Sequence, residues 1–372
     1  MTDPGSLSLA YSIADQNFVK TKSLGILNLS VQLGVALSSR PELARLELFS
    51  NSSLRGWHEQ FAGRNVHCFD HASATRLGRM FWDQYGAYRT ARKHDVQWLF
   101  LPKGFASFCR RPRIRLATYV HDAIGEWYRS QYPGAQSQME SWYFHRSLVA
   151  TLRYSTVVFT NSDFTRRELV AFSERRAIPP PDIVVAGIGF DTVATTASAD
   201  RRRIVVLASP WRHKRTDLAV QYMSDWQRAT EYSGQVDWVG RFPAGVGRPS
   251  HPRWHFHERL DEDGYRALVS ESRAVVYVSE YEGFGMPPVE AVLHGACPVY
   301  SDIPATRETM RSEGAPFENA SFESFTAAMT RALAMQPSDL SGIAERLRAQ
   351  HNWTAVADRI IAALTAHLRG RH

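Results

Sequence analysis

Short runs of apolar, largely β-branched and aromatic residues recur along this chain, and longer stretches of helical period separate them. In the first half the runs are Leu7 to Ile13, Trp98 to Leu101, Leu116 to Val120 and Thr156 to Thr160, with the helical stretch Leu24 to Leu37 after the first of them. A strand that is apolar throughout, rather than on alternate residues, must be covered on both faces. Parallel strands with helices crossing over on either side are the usual solution. The second half repeats the pattern: a strand from Ile204 to Ala208, a helix from about Thr216 to Thr230 and a strand from Val236 to Val239. A helix from Asp263 to Glu271, a strand from Ala274 to Val278 and a helix from Pro288 to His294 follow. Two doubly wound α/β units are therefore predicted.

A chain of 372 residues exceeds one ordinary core and fits two domains. The stretch from Asp191 to Asp200 is small, polar and without period, and marks the linker. The expected domains are 1–193, on the acceptor side, and 200–354, on the nucleotide side. Toward the end, Val356, Ile360, Ile361 and Leu364 keep helical spacing with no strand after them. That helix, about 355–372, can pack on either lobe, the first included. No repeat is evident beyond the two similar halves.

With 44% hydrophobic and 22% charged residues, the chain is neither disordered nor a membrane bundle. No apolar run approaches the roughly 18 residues that would span a bilayer, and no secretory leader is evident, so membrane contact is expected to be peripheral. The net charge of +7 favours anionic partners. It is concentrated in Arg110 to Arg115 and in Arg201, Arg202 and Arg203, without the context of a nucleic-acid module. These runs read as solvated faces or a membrane-surface patch, and no nucleic-acid partner is expected. Cys68, Cys109 and Cys297 are odd in number and far apart, which fits neither a disulfide framework nor a zinc site. A cytoplasmic protein is expected.

The most informative stretch runs from Ser279 to Ala291 and joins a strand-like run to a helix. Gly283 and Gly285 allow backbone N–H groups to approach an anion, and Pro287 or Pro288 at a first helical position costs no hydrogen bond. A diphosphate fits such a helix start. Glu282 and Glu290 are acceptor-only carboxylates able to hold vicinal hydroxyls, as sugars and ribose present them. A phosphate beside two carboxylates needs a cation. The run Trp211-Arg212-His213-Lys214-Arg215 supplies candidates, with Lys214 the first choice.

The segment Glu282-Gly283-Phe284-Gly285-Met286-Pro287-Pro288-Val289-Glu290 resembles the signature of family 4 retaining glycosyltransferases, a glutamate, seven residues and a second glutamate. Tyr119 to Asp122, Thr160 to Thr165, Val239-Gly240-Arg241 and Gly295 to Val299 match the family in the same order. The resemblance implies a GT-B fold, with two Rossmann-like doubly wound domains facing a central cleft. It assigns Glu282, with Gly283, Phe284, Gly285 and Met286, to the donor sugar and phosphates, and Glu290 to the ribose. Lys214 becomes the diphosphate's countercharge, and His121 faces the donor near the reacting carbon. Arg241 joins the donor-binding set. The family's arginine before the lysine is missing, since Ala208-Ser209-Pro210 stands there, and its glycine after the lysine is Arg215; Arg212 or Arg215 is the expected substitute. The first-lobe loop, Asn17 to Gly25, lacks the usual glycines, which leaves the acceptor site unassigned.

The same resemblance implies transfer with retention, needing no protein nucleophile, no metal and no cofactor besides the nucleotide sugar. GDP-mannose is the first expected donor, by similarity to bacterial mannosyltransferases of polysaccharide assembly, and a UDP-hexose the second. The expected acceptor is a growing glycan, such as one on a polyprenyl diphosphate at the cytoplasmic face of the inner membrane. Asp261-Glu262-Asp263 imitates a metal motif of another glycosyltransferase architecture, but apolar residues at helical spacing follow, so a helix start is predicted. Ser162 is read as a helix cap, not a nucleophile. A non-catalytic sugar-nucleotide-binding protein is the competing class. A nicotinamide enzyme would need the Gly-x-Gly-x-x-Gly fingerprint, which is absent.

Overall fold

A computed structural model of the chain describes residues 6–17, 24–61, 63–190 and 201–369. The linker expected at 191–200, and positions 18–23 of the atypical first loop, lie outside the described residues. The chain divides into two compact units, Met1–Gly189 with His351–His372, and Phe190–Gln350.

The first unit is built on seven parallel strands: β1 (Ser8–Ser12), β2 (Arg45–Ser50), β3 (Asn65–Cys68), β4 (Trp98–Leu101), β5 (Arg115–Val120), β6 (Val157–Thr160) and β7 (Asp182–Val185). Their order is β3-β2-β1-β4-β5-β6-β7. Leu9 pairs with Leu46 on one side and with Trp98 on the other, so winding reverses between β1 and β4. Such a switch point leaves an opening at the carboxyl ends of the strands. One face of the sheet is covered by the helices Leu24–Ser38 and Trp353–Arg369, which bury Leu27, Val31, Ile360 and Leu364. The final helix thus belongs to the first unit. On the other face, Trp82, Tyr88 and Ala91 pack against Phe49 and Leu99.

The second unit repeats the plan with β8 (Arg203–Leu207), β9 (Gln235–Val239), β10 (Trp254–His257), β11 (Ala274–Tyr277), β12 (Cys297–Ser301) and β13 (Ala315–Phe317), in the order β10-β9-β8-β11-β12-β13. Here the reversal falls between β8 and β11. The helices Thr216–Thr230 and Phe322–Ala334 cover one face, and Glu262–Ser270 and Met286–Leu293 the other.

Apolar runs locate the central strands and miss several flanking ones. β4, β6 and β11 are buried along their whole length, whereas β3 and β7 lie at the sheet's edges and are partly exposed, β3 with polar Asn65 and His67. β2 escapes for another reason, since buried Glu47 interrupts its apolar run. The caps fall as expected. Ser162 accepts from Thr165 N at 3.0 Å to start Asp163–Arg175, and Asp261 accepts from Gly264 N at 2.8 Å to start Glu262–Ser270. Each leaves one fewer orphan N–H in a first turn. Among the described residues no helix is long and apolar enough to cross a membrane.

Candidate functional site

In the second unit, two loops at the switch point are stitched together by their backbones. After β8 the chain makes a short 3-10 turn, Arg212–Lys214. After β11, Glu280 N donates to the His213 carbonyl at 2.7 Å and Ser279 Oγ to the same oxygen at 3.3 Å. Ser279 N is fixed in turn by Ser301 Oγ at 2.9 Å, at the end of β12. These bonds set Lys214 against Glu282, with Lys214 Nζ 2.6 Å from Glu282 Oε1. Tyr277, the last residue of β11, completes the group: its hydroxyl accepts from Lys214 and donates to Glu282, and the ammonium lies 4.9 Å from its ring centroid.

The electrostatics follow from this arrangement. Burial works to raise the Glu282 carboxyl, but the charge of Lys214 and the lysine's hydrogen bond outweigh it, so the group is held below the usual carboxylate range. Tyr277 is pushed far up by burial, then by the neighbouring Glu282 charge, and keeps its proton. His213 is pulled down to about 4, first by burial and then by Lys214, and is neutral at pH 7. Lys214 and Glu282 therefore form a cation and anion that neutralise one another.

The segment after Glu282 turns into the helix Met286–Leu293 through Gly285, whose φ of +83° is left-handed. A Cβ there would also meet Thr306 Cγ2 at 2.8 Å, so glycine is required on two grounds. Pro287 and Pro288 occupy the first turn and have no N–H to give, which leaves Gly285, Met286 and the helix dipole to serve an anion. Phe284 is buried against Phe190, ring centroids 6.0 Å apart, and its carbonyl accepts from Thr309 Oγ1 at 2.8 Å. It anchors the loop. Gly283 is buried and Met286 half-buried.

Glu290, in the same helix, differs from Glu282. No hydrogen-bond or ion-pair partner for its carboxylate occurs among the described residues. Burial, then the negative charge of Glu262, push it up to about 7, with Arg266 opposing. A carboxyl so placed gains most from hydroxyl partners.

The arginines divide. Arg215 Nε binds Asp217 Oδ1 at 3.1 Å and its guanidinium also pairs with Glu280, so it holds loop to helix instead of standing with Lys214 and Glu282. Its φ of +40° explains why a glycine suits this position. Arg212 is exposed in the same turn. Arg241 is exposed after Gly240, whose φ is +117° and where a Cβ would strike the Ala208 carbonyl at 1.9 Å. Asp302 is taken by Arg307 at 2.9 Å, and Thr306 Oγ1 donates to the Ser301 carbonyl at 2.7 Å, so both serve the fold.

In the first unit His121 follows β5. Its Nε2 donates to the Pro102 carbonyl at 2.8 Å, and burial, partly opposed by that bond, pulls the ring down to about 4. The neutral ring therefore carries its lone pair on Nδ1, which is buried and has no hydrogen-bond partner among the described residues. Asn161 Nδ2 holds the His121 carbonyl at 2.7 Å, which gives the Asn161-Ser162 pair a positioning role. Two residues that sequence reasoning passed over stand nearby in the fold: Asp15 after β1 and Lys103 after β4 are paired across the first sheet's switch point. Tyr277 was passed over as well. A tyrosine ending an apolar strand reads as core, and only its place at the strand's carboxyl end signals more.

Residues 201–335, which include Lys214, Glu282 and Glu290, match the family model described as Glycosyl transferases group 1. A protein of Sulfolobus islandicus filamentous virus that carries a glycosyltransferase name is 35% identical over 65 residues, 18% of this chain; the match spans about a fifth of that relative, 19% of its length. Among solved structures, sucrose-phosphate synthase from Thermosynechococcus elongatus is 16% identical with a TM-score of 0.69, over 97% of this chain and 99% of that one. Anabaena HepE in complex with UDP and glucose is 15% identical with a TM-score of 0.68, over 97% and 100%. The UDP-forming α,α-trehalose-phosphate synthase of Burkholderia vietnamiensis is 11% identical with a TM-score of 0.64, again over 97% and 100%. At such identities the likeness shows the fold: two Rossmann-like units of the GT-B type.

Proposed function

We propose that the chain is a retaining glycosyltransferase that moves a hexose from a nucleotide-diphosphate sugar to an acceptor hydroxyl, with the donor held in the second unit around Glu282 to Glu290. The observation that carries this reading is the Lys214–Glu282 pair at the switch point, set beside a helix that starts on a left-handed glycine. Each member of the pair is the other's countercharge until a ligand arrives. A donor diphosphate would draw Lys214 and free Glu282 to accept from sugar hydroxyls, while Tyr277 keeps the carboxylate aligned. Glu290 would take the ribose hydroxyls.

In the transfer, the bond from the anomeric carbon to the diphosphate oxygen breaks and its electron pair leaves with that oxygen. The acceptor hydroxyl attacks from the same face, and its proton passes to the departing phosphate. The chain's part is to position the reactants and to stabilise the developing negative charge, through Lys214 and the helix start. Arg212 and Arg241, exposed in the neighbouring loops, are assigned to the phosphates. His121 is assigned a substrate hydroxyl, accepted at its open Nδ1. No step asks for a metal or a further cofactor.

UDP named with HepE and with the trehalose-phosphate synthase supports a UDP-hexose as the donor to test first, with GDP-mannose as the alternative. For the acceptor, a lipid-linked surface glycan at the inner membrane is proposed. The first unit exposes Leu77, Phe81 and Trp142, with Arg76 and Arg146 close in sequence, as an anionic membrane surface would require. Release of UDP or GDP from a panel of sugar nucleotides, with the product's anomeric configuration read by NMR, tests the reading. Donor-dependent release with retained configuration is expected. Binding without turnover on any donor would favour a sugar-nucleotide-binding protein.

A further inference from the structure

In the first unit, the flank of the sheet carries a cluster that the proposed transfer does not use. Glu47 lies in β2, His67 in the edge strand β3, and His94 caps the end of the helix Ala87–Lys93. The ligating atoms of all three lie within 4.8 Å of one another. We infer that Glu47, His67 and His94 form a binding site for a divalent transition metal of the zinc type.

The two oxygens of Glu47 are used differently. Oε1 accepts from Arg45 Nε at 2.9 Å and Asn65 Nδ2 at 3.1 Å, which fixes the carboxylate and its orientation. Oε2 is left to the imidazoles, with His67 Nε2 at 2.6 Å and His94 Nδ1 at 3.6 Å. A buried carboxylate already held by an arginine, an asparagine and one histidine does not need a second ring aimed at the same oxygen. A metal does. Around a tetrahedral zinc with bonds of about 2.0–2.1 Å, neighbouring ligand atoms stand about 3.3 Å apart, and the two distances to Oε2 bracket that value.

The scaffold supports the rings as well. β2 and β3 pair Glu47 with Asn65 and Phe49 with His67, which puts Asn65 and His67 on one face of the edge strand. Phe49 packs against both rings, at 6.1 Å from His67 and 5.6 Å from His94, and the two rings stand 4.3 Å apart. Arg45 and Asn65 then serve as the outer partners that orient a ligating carboxylate. Two nitrogens and one carboxylate favour zinc or a neighbouring transition ion over magnesium or calcium, which prefer all-oxygen sites. The histidine side chains are 32% and 29% exposed, so an ion can enter and a water can complete its shell. Binding would clamp the edge strand to its neighbour and to the end of a helix.

The test uses the full chain, stripped with EDTA and titrated calorimetrically with Zn2+. One site of micromolar or better affinity is expected, weakened at least about tenfold by His67→Gln and by His94→Gln separately, and unchanged by His255→Gln at an exposed histidine of β10. Zn2+ should also shield His67 and His94 of the unaltered chain from diethylpyrocarbonate, mapped by mass spectrometry, which needs no variant to fold. No binding tighter than millimolar, or binding that neither variant weakens while both histidines stay reactive, would overturn the site. Neither readout involves sugar transfer, so the result stands apart from the proposed activity.

Discussion

The two units place a lysine and a carboxylate in corresponding positions with the signs exchanged. In the first, Asp15 follows β1 and Lys103 follows β4; in the second, Lys214 follows β8 and Glu282 follows β11. Both pairs straddle a switch point, the place where such sheets hold ligands. Their surroundings differ. Asp15 and Lys103 line a cavity of about 10 Å3 with Ser12, Trp82 and Pro102, at the lower limit for a single water. Burial there pulls the lysine down to about 8. Lys214 and Glu282 share a tyrosine hydroxyl, and Glu282 leads through Gly285 into a helix start. One topological position thus carries a lysine–carboxylate pair in both units, and the residues following the strands set its surroundings; in the proposed transfer the second pair is the one kept for a ligand.

Substitutions should separate these roles. The largest effect is expected in the closed pair: Asp15→Ala leaves the Lys103 ammonium without its partner and should cost about 3–5 kcal/mol of stability in denaturant unfolding. An unchanged midpoint would mean that Lys103 finds water or another acceptor. In the open pair the loss should appear in turnover. Lys214→Ala should slow nucleoside-diphosphate release at least about tenfold, the scale of one charge contact near a transition state, and full activity would remove its assigned role.

The second glutamate carries a smaller effect with a pH signature. Glu290 titrates near 7 in the fold, above its ordinary 4.5, so the folded state holds a proton that the unfolded chain has released. Its stabilising contribution is complete below 4.5 and is lost as pH rises through about 7. Glu290→Gln should therefore be more stable than the parent at pH 8 by about 1 kcal/mol, allowing for screening at a partly exposed carboxyl, and equal to it at pH 4. Its donor KM should rise several-fold, so that stability and binding move in opposite directions. Melting curves that track the parent at both pH values would place Glu290 in water. The smallest effect belongs to Arg215→Gly, where relief of a left-handed conformation, about 1–2 kcal/mol, is offset by lost ion pairs; a net change within about 1 kcal/mol is expected in unfolding.

The same contrast shows what could be read from the chain alone. Glu282 and Glu290 are legible because the candidate site they belong to is local, a strand end, a loop and a helix start within one stretch. The central strands are legible because being covered on both faces makes them apolar throughout. Asp15 and Lys103 are not, because they meet only through the pairing of β1 with β4, and nothing near either residue marks its partner. The outer strands were hidden by their composition: polar Asn65 and His67 in the partly exposed edge strand β3, and in β2 a buried glutamate that three neighbours satisfy. Arg212 or Arg215 was the expected substitute for the missing phosphate contact, and in the fold Arg215 pairs with Asp217 and Glu280. Sequence shows that a cation is present, while only the fold shows which way it turns.

The proposed transfer requires the Lys214–Glu282 pair to open onto the donor's diphosphate. Calorimetric titration of UDP and GDP into the parent chain, Lys214→Ala and Asp15→Asn tests it most directly. One nucleotide should bind the parent, Lys214→Ala at least about tenfold more weakly, and Asp15→Asn with unchanged affinity. Equal affinity for the parent and Lys214→Ala, or no binding of either nucleotide at millimolar concentration, would contradict it.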